Sequence, residues 1–331
     1  MKPDEILLLT PREIQSLLNL DECIEAVEQA FRQHGEGKAF PPEVLSMHTP
    51  GGGFHVKAGI LDLDRSYFAA KVNGNFPENS ARFGLPTIQG VVVLCDAENG
   101  TPLAVMDSRD ITSFRTAAAT AVAAKYLARQ DSGIVTICGC GNQGRIQLKA
   151  LSRVFRLHSV FAYDKDEKRA LSFARELASE LNISVTSVPD LGIAARQCDI
   201  CVTCTPSRQP FLALRDVRPG TFVAAVGADN PGKQELNADL LAGSKIVCDI
   251  LDQCAVMGDL HHALDAGVVS KADVHAELGE VVAKKKPGRE SDEEVIIFDS
   301  TGMALQDVAT AAILYEKAQQ LGAGVRLSFA A

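Results

Sequence analysis

The sequence lacks an excess of positive charge, a long apolar run and any clear set of metal ligands, and each absence removes a class of function. Lys and Arg together number 33 against 42 Asp and Glu, a formal net charge of -9. A surface that grips nucleic acid or anionic lipid needs concentrated Lys and Arg, so the expected ligand is small, with no nucleic-acid and no membrane partner. No segment reaches the roughly eighteen uninterrupted apolar residues of a membrane helix. The N-terminal "MKPDEILLLTPREIQ" carries only a short apolar run broken by acids and prolines, which fits neither a signal peptide nor a membrane span. With no secretion signal, the nine cysteines, mostly inside apolar runs, read as buried free thiols of a cytoplasmic protein.

Those cysteines do not add up to a metal site. Cys138 and Cys140 are too close for a C-x2-C knuckle, and no second pair of Cys or His lies at zinc-ribbon spacing. Cys198, Cys201 and Cys204 have iron-sulfur-like spacing, but "CDICVTC" reads as a strand. A strand over all three would turn Cys198 and Cys204 to one face and Cys201 to the other. No metal is expected.

What is present is a chain of 331 residues, 46% hydrophobic and 23% charged, enough for two domains with a sizeable core. Its first third mixes a helical pattern, "LDECIEAVEQAFRQHGEG", with short alternating runs, and Glu98-Asn99-Gly100 separates two apolar strands as a hairpin turn would. That third is expected to be α+β with an antiparallel sheet. An Ala-rich helix follows in "DITSFRTAAATAVAAKYLAR", with Asp110 or Thr112 as its expected cap. From Ile134 the runs "IVTIC", "SVFAYD", "ISVTSV", "ICVTC", "TFVAAVG", "KIVCDI" and "EVIIFDS" alternate with helical stretches, the pattern of βαβ units in a doubly wound parallel sheet. "MALQDVATAAILYEKAQQLG" reads as a long amphipathic helix closed by Gly322, and "KKKPGRESDEE" as a solvated loop.

Gly139, Gly141 and Gly144 in "TICGCGNQGR" spell G-x-G-x-x-G between an apolar strand and a helix. The first glycine permits a tight turn, the second lets backbone approach a pyrophosphate, and the third lets helix and strand pack closely. The helix start then offers free N–H groups to the phosphates. Asp164 ends the next strand about twenty residues on, where an acid takes the ribose hydroxyls of NAD and repels the extra phosphate of NADP. The expected cofactor is NAD, with Asn142, Gln143 and Thr205 counted as further contacts.

Three polar residues stand out beyond the turn. Lys71 interrupts the apolar strand run "FAAKVNGN" and is either an edge-strand solvent residue or a buried functional amine. Arg115 falls in the first turns of a helix of small apolar residues, where a cation asks for an adjacent anion, and a substrate carboxylate would serve. Asp229 follows "TFVAAVG" and so belongs at the carboxyl edge of the parallel sheet, where such folds bind ligands.

Six ordered segments, "KVNGN", "GLPTIQGVVVL", "SFRTAAAT", "GCGNQG", "AVGADNPGKQEL" and "FDSTGMALQD", resemble the successive motifs of the ornithine cyclodeaminase/μ-crystallin family, from about Pro41 to Asp307. The resemblance implies a homodimer. A substrate-binding and dimerisation domain over residues 1–113, completed by 303–331, would accompany an NAD-binding Rossmann domain over 114–302. It implies hydride transfer at the Cα of a small L-α-amino acid or its imine. Lys71 would lie near the reacting carbon, Arg115 on the carboxylate, Thr87 by cofactor and substrate, and Asp229 would be the general acid/base. The chain departs from the family at Pro41-Pro42-Glu43, where a Pro-x-Arg often supplies a second carboxylate contact; Lys57 is expected to replace it. His55 stands where ornithine cyclodeaminases carry a glutamate. Proline formation from ornithine, and a cofactor-holding protein without turnover, are the alternatives.

Overall fold

The structure, a computed structural model, describes residues 5–328. The chain divides into two units, Met1–Arg115 with Met303–Ala331 and Thr116–Gly302, the first break falling inside the helix Ser108–Leu127.

A seven-stranded sheet forms the first unit. Its spatial order is Val325–Ser328, Glu5–Leu9, Pro102–Asp107, Ile88–Asp96, Ser66–Asn75, Gly52–Asp62, Glu43–Thr49. The expected antiparallel sheet needs one correction, because Glu5–Leu9 runs parallel to Pro102–Asp107. Parallel neighbours need a long connection, and the chain supplies it by leaving Leu9 through the helices Pro11–Leu17 and Leu20–Glu36. Asn19 starts the second of these by accepting the Asp21 and Glu22 N–H groups, and Gly37 at φ 74° ends it. Gly100, at φ 78°, closes the expected hairpin turn with its N–H on the Asp96 carbonyl.

The helix Ala304–Leu321 packs on the two long strands Gly52–Asp62 and Ser66–Asn75, and against Leu20–Glu36. It is not amphipathic along its whole length, since every residue from Ala304 to Ala312 is buried. Small side chains let it sit between sheet and helix, and a Cβ added at Gly59 would lie 2.9 Å from Leu305. The opposite face of the sheet presents Leu45, Met47, Phe54, Val72 and Val91, all exposed. Among the described residues no helix is long and apolar enough to cross a membrane.

The second unit holds an all-parallel sheet of eight strands. Their order is Val274–Glu277, Lys245–Cys248, Ile296–Asp299, Phe222–Ala225, Ile200–Thr203, Ile134–Cys138, Ser159–Tyr163, Ser184–Ser187. Strand order reverses between Ile134–Cys138 and Ile200–Thr203, which makes the carboxyl ends of these two strands the ligand crevice of the doubly wound fold. Cys201 alone of the three spaced thiols lies in a strand, because the Ile200–Thr203 strand excludes Cys198 and Cys204. Period-two alternation therefore does not set these three thiols on opposite faces, and the Cys198 thiol meets the Ala195 carbonyl at 3.3 Å. No group of three His, Cys, Asp or Glu among the described residues could hold a metal ion. The loop after Val282 is only partly solvated, since Arg289 reaches in to the carbonyls of Leu127 and Glu294.

Candidate active site

Lys71 lies on the Ser66–Asn75 strand with the buried residues Tyr67, Ala69 and Asn73, on the face that the Ala304–Leu321 helix covers. It is 3% exposed, so the buried alternative holds rather than the edge-strand one. Lys57 is its register partner on the adjacent strand and is buried too. From the helix, Asp307 places both carboxylate oxygens 2.8 Å from Lys71 Nζ. Arg115 Nε lies 3.2 Å from Asp307 Oδ1, and its Nη1 donates to Gln306 Oε1 at 3.0 Å.

Arg115 lies within the first turns of its helix, but further from the start than the helix dipole reaches. Ser108 begins the helix directly after the Pro102–Asp107 strand, so Asp110 and Thr112 are inside it, and Asp107 Oδ1 accepts the Arg109 N–H instead. Arg115 is about two turns in, where the helix dipole has little hold. Its anion is Asp307.

Three buried cations thus surround one carboxylate. Burial, and then the Arg115 charge, push the Lys71 amine down to about 7 against the pull of Asp307. Burial raises the Asp307 carboxyl, but Lys71 and Arg115 outweigh it and hold the group below its ordinary range. Gln306 Nε2 is buried with no hydrogen-bond partner among the described residues. A site with surplus positive charge and an unsatisfied donor suits a carboxylate.

Other expected residues of this unit are more peripheral. His55 is half-buried, two residues before Lys57, with Nδ1 3.0 Å from Ser46 Oγ. Thr87 is exposed just before the Ile88–Asp96 strand, its carbonyl accepting the Phe76 N–H. Glu43 opens an exposed strand as the register partner of Ala58.

In the second unit the glycine turn has the geometry its spacing requires. Gly139 adopts φ 105°, and a Cβ there would lie 2.8 Å from the Cys204 carbonyl; a Cβ on Gly144 would lie 2.1 Å from the Gly139 carbonyl oxygen. Gly141 caps the helix Asn142–Val154 and faces open space, which leaves the helix start approachable at Asn142 and Gln143. Asp164 Oδ2 accepts the Cys140 N–H at 2.9 Å, tying the acid to the turn, and Arg169 Nη1 stands 3.9 Å from it. Cys138 and Cys140 are buried free thiols raised by desolvation. These residues fit a dinucleotide, because the turn is closed everywhere except where backbone must meet phosphate.

Thr205 follows the Ile200–Thr203 strand, at the crevice, and donates both its N–H and its hydroxyl to Glu235 Oε1 at 2.6 and 2.7 Å. Asp229 stands after the Phe222–Ala225 strand, on the expected carboxyl edge, exposed and paired with Lys233 Nζ at 2.7 Å. The structure gathers Lys57, Lys71 and Arg115 in one cluster of the first unit, whereas the glycine turn, Asp164, Thr205 and Asp229 belong to the second. Sequence reasoning missed Gln306, Asp307 and Glu235. The available signal for the first two was a polar pair inside a run of small apolar residues.

The family model "Ornithine cyclodeaminase/mu-crystallin family" matches residues 4–322. An alanine dehydrogenase of Archaeoglobus fulgidus is 44% identical over 326 residues, 98% of this chain and 99% of that one. An archaeal alanine dehydrogenase dimer with bound NAD superposes with a TM-score of 0.93 at 44% identity, covering 98% of this chain and 100% of that one. The Δ1-pyrroline-2-carboxylate reductase of Thermococcus litoralis, in complex with NADH and L-proline, gives 0.92 at 35% identity, with 97% and 99% covered.

Proposed function

This chain belongs to the ornithine cyclodeaminase/mu-crystallin family, and from that premise we propose that it is an NAD(H)-dependent enzyme that oxidises a small L-α-amino acid at Cα or reduces the matching imine. The observation that carries the reading is the buried Lys57, Lys71 and Arg115 around the single carboxylate of Asp307. Lys71 and Arg115 share the one carboxylate of Asp307, and the surplus positive charge of that trio is what a substrate carboxylate offsets. Arg115, already anchored by Gln306 and Asp307, presents a fixed guanidinium edge to that carboxylate. Lys57 supplies the second cation, standing in for the family arginine that this chain lacks.

Nicotinamide, when bound, supplies or accepts the hydride. Gly139, Gly141 and Gly144 would cradle the dinucleotide, the first residues of the Asn142–Val154 helix would hold its phosphates, and Asp164 would select the unphosphorylated ribose. Lys71, near neutrality by virtue of its burial, holds or releases a proton beside the amino group, and Asp229 moves the proton that accompanies C–N chemistry. Water adding to the iminium gives a keto acid and ammonium, whereas an amine in the substrate's own side chain closes a ring. The apolar sheet face of Leu45, Met47, Phe54, Val72 and Val91 supports a homodimer through the first unit. All nine cysteines are free, which suits the cytoplasm.

The test is purified protein with NADH and, in separate reactions, pyruvate with ammonia, a cyclic imino acid, and ornithine. Loss of NADH absorbance with either of the first two is expected. Absence of NADH oxidation throughout, with no proline from ornithine, refutes the enzyme.

A further inference from the structure

Glu235 is fully buried in a three-residue strand, Gln234–Leu236, and none of the roles above uses it. Its carboxylate joins the two loops that leave neighbouring strands at the ligand crevice. Oε1 accepts the N–H and hydroxyl of Thr205, after Ile200–Thr203, and Oε2 accepts the Gly227 N–H at 3.0 Å, after Phe222–Ala225 and two residues before Asp229. The approach is tight enough that a Cβ on Gly227 would lie 2.5 Å from Oε2 and 2.5 Å from the Thr205 carbonyl. We propose that Glu235 is a positioning residue for the cofactor, holding the Thr205 and Gly227 loops in their binding geometry only as the carboxylate. The inference rests on the NAD(H) reading above.

The chemistry follows from the donors. The Thr205 N–H and hydroxyl and the Gly227 N–H all give a hydrogen to Glu235, and the Thr203 hydroxyl adds to them, so an ionised carboxylate satisfies them together. A protonated Glu235 must turn one oxygen into a donor, and each of its oxygens faces a backbone N–H, of Thr205 or of Gly227, that can only donate. One loop is released. Behind Glu235 stands Asp259, whose Oδ1 accepts the Glu235 and Leu236 N–H groups at 2.7 and 2.8 Å, and behind that Asp299, which accepts the Asp259 and Leu260 N–H groups. The thiols of Cys138 and Cys201, on two strands of the parallel sheet, and of Cys204, just beyond the second, lie near Glu235. The charged groups that face it are acids, and the carboxyl is pushed up to about 7 by burial and then by Asp259, against the hydrogen bonds from Thr205 and Thr203. Asp259 is itself pushed up to about 6 by burial.

Cofactor that requires the ionised form binds tightly above about pH 7 and loses affinity as pH falls through that value. NADH titration of the intact protein, read by nucleotide fluorescence from pH 6 to 8, measures this without turnover. The wild-type Kd is expected to weaken roughly tenfold over that range. Glu235→Gln, which imitates the protonated acid, is expected to bind roughly tenfold more weakly at pH 8 and to show no inflection. A merely structural role would weaken binding at every pH and leave the inflection in place. Asp259→Asn, which removes the like charge, is expected to move the inflection to lower pH, and it decides the matter should Glu235→Gln fail to fold. A flat wild-type profile, an inflection that survives Glu235→Gln, or one unmoved by Asp259→Asn overturns the proposal while leaving the NAD(H) reading intact. No NADH binding at any pH overturns both.

Discussion

Replacing Lys71 with methionine is expected to stabilise the fold while abolishing turnover. Desolvation, with repulsion from Arg115 and Lys57, lowers the Lys71 pKa from an ordinary 10.5 to about 7, although Asp307 pulls the other way. A base with a depressed folded pKa holds fewer protons in the native state than in the unfolded chain between those two values. Stability therefore rises with pH from about 7 to about 10.5, and the full cost of the buried charge is present below 7. At about 1.4 kcal/mol for each tenfold change in proton affinity, that interval bounds the cost at roughly 5 kcal/mol. Methionine matches the lysine stem in volume and leaves Arg115 paired with Asp307 at 3.2 Å, so the net gain at pH 6.5 is placed at about 1–4 kcal/mol. Urea unfolding followed by circular dichroism at pH 6.5 and 9.5 measures it, alongside NADH oxidation with keto acid and ammonia. The variant is expected to unfold at higher urea at pH 6.5, with the gap narrowing at pH 9.5, and to lack turnover. A variant less stable at pH 6.5, or a gap that ignores pH, refutes the assignment of Lys71 as a charge held at a cost for function.

Asp229→Asn is expected to bind NADH normally and to turn over at least about a hundredfold more slowly, and near-normal rates remove Asp229 from acid/base duty. Asp164→Ser removes the carboxylate from the Cys140 N–H and leaves Arg169 nearby, so the ratio of kcat/KM with NADPH to that with NADH is expected to rise at least about tenfold; an unchanged ratio counts against the ribose role. Val72→Asp puts a charge in the exposed apolar sheet face and is expected to halve the mass measured by light scattering, whereas a dimer of unchanged mass locates the contact elsewhere.

What was legible in the sequence was whatever the chemistry confines to a short window. The glycine turn, its flanking strand and helix, and Asp164 lie within thirty-odd residues, and each is constrained by backbone geometry that only particular side chains allow. The strands that escaped notice are short or lie toward a sheet edge: Glu5–Leu9, Glu43–Thr49 and Val325–Ser328 in one unit, Arg208–Leu212, Gln234–Leu236 and Val274–Glu277 in the other. Glu43–Thr49 has no buried residue, so it leaves no alternation to read.

The functional residues divide along the same line. Lys71 and Arg115 were conspicuous because a cation breaks an apolar pattern, yet the group that explains both is Asp307, 236 and 192 residues away along the chain. Asp307 obeys the same rule from the other side, as an acid inside a helix of Ala, Val and Thr, where an amphipathic pattern does not tell a buried acid from a solvated one. Glu235 shows the limit more sharply, since in "GKQEL" it has the company of a surface residue and is nevertheless fully buried. A buried polar group differs from an exposed one only by having its hydrogen-bonding partners supplied, and here Thr205 and Gly227 supply them. An isolated polar residue in an apolar helix or strand is thus better read as half of a pair. The productive question is which distant residue of opposite charge interrupts its own pattern in the same way; for Lys71 and Arg115 that search ends at Asp307.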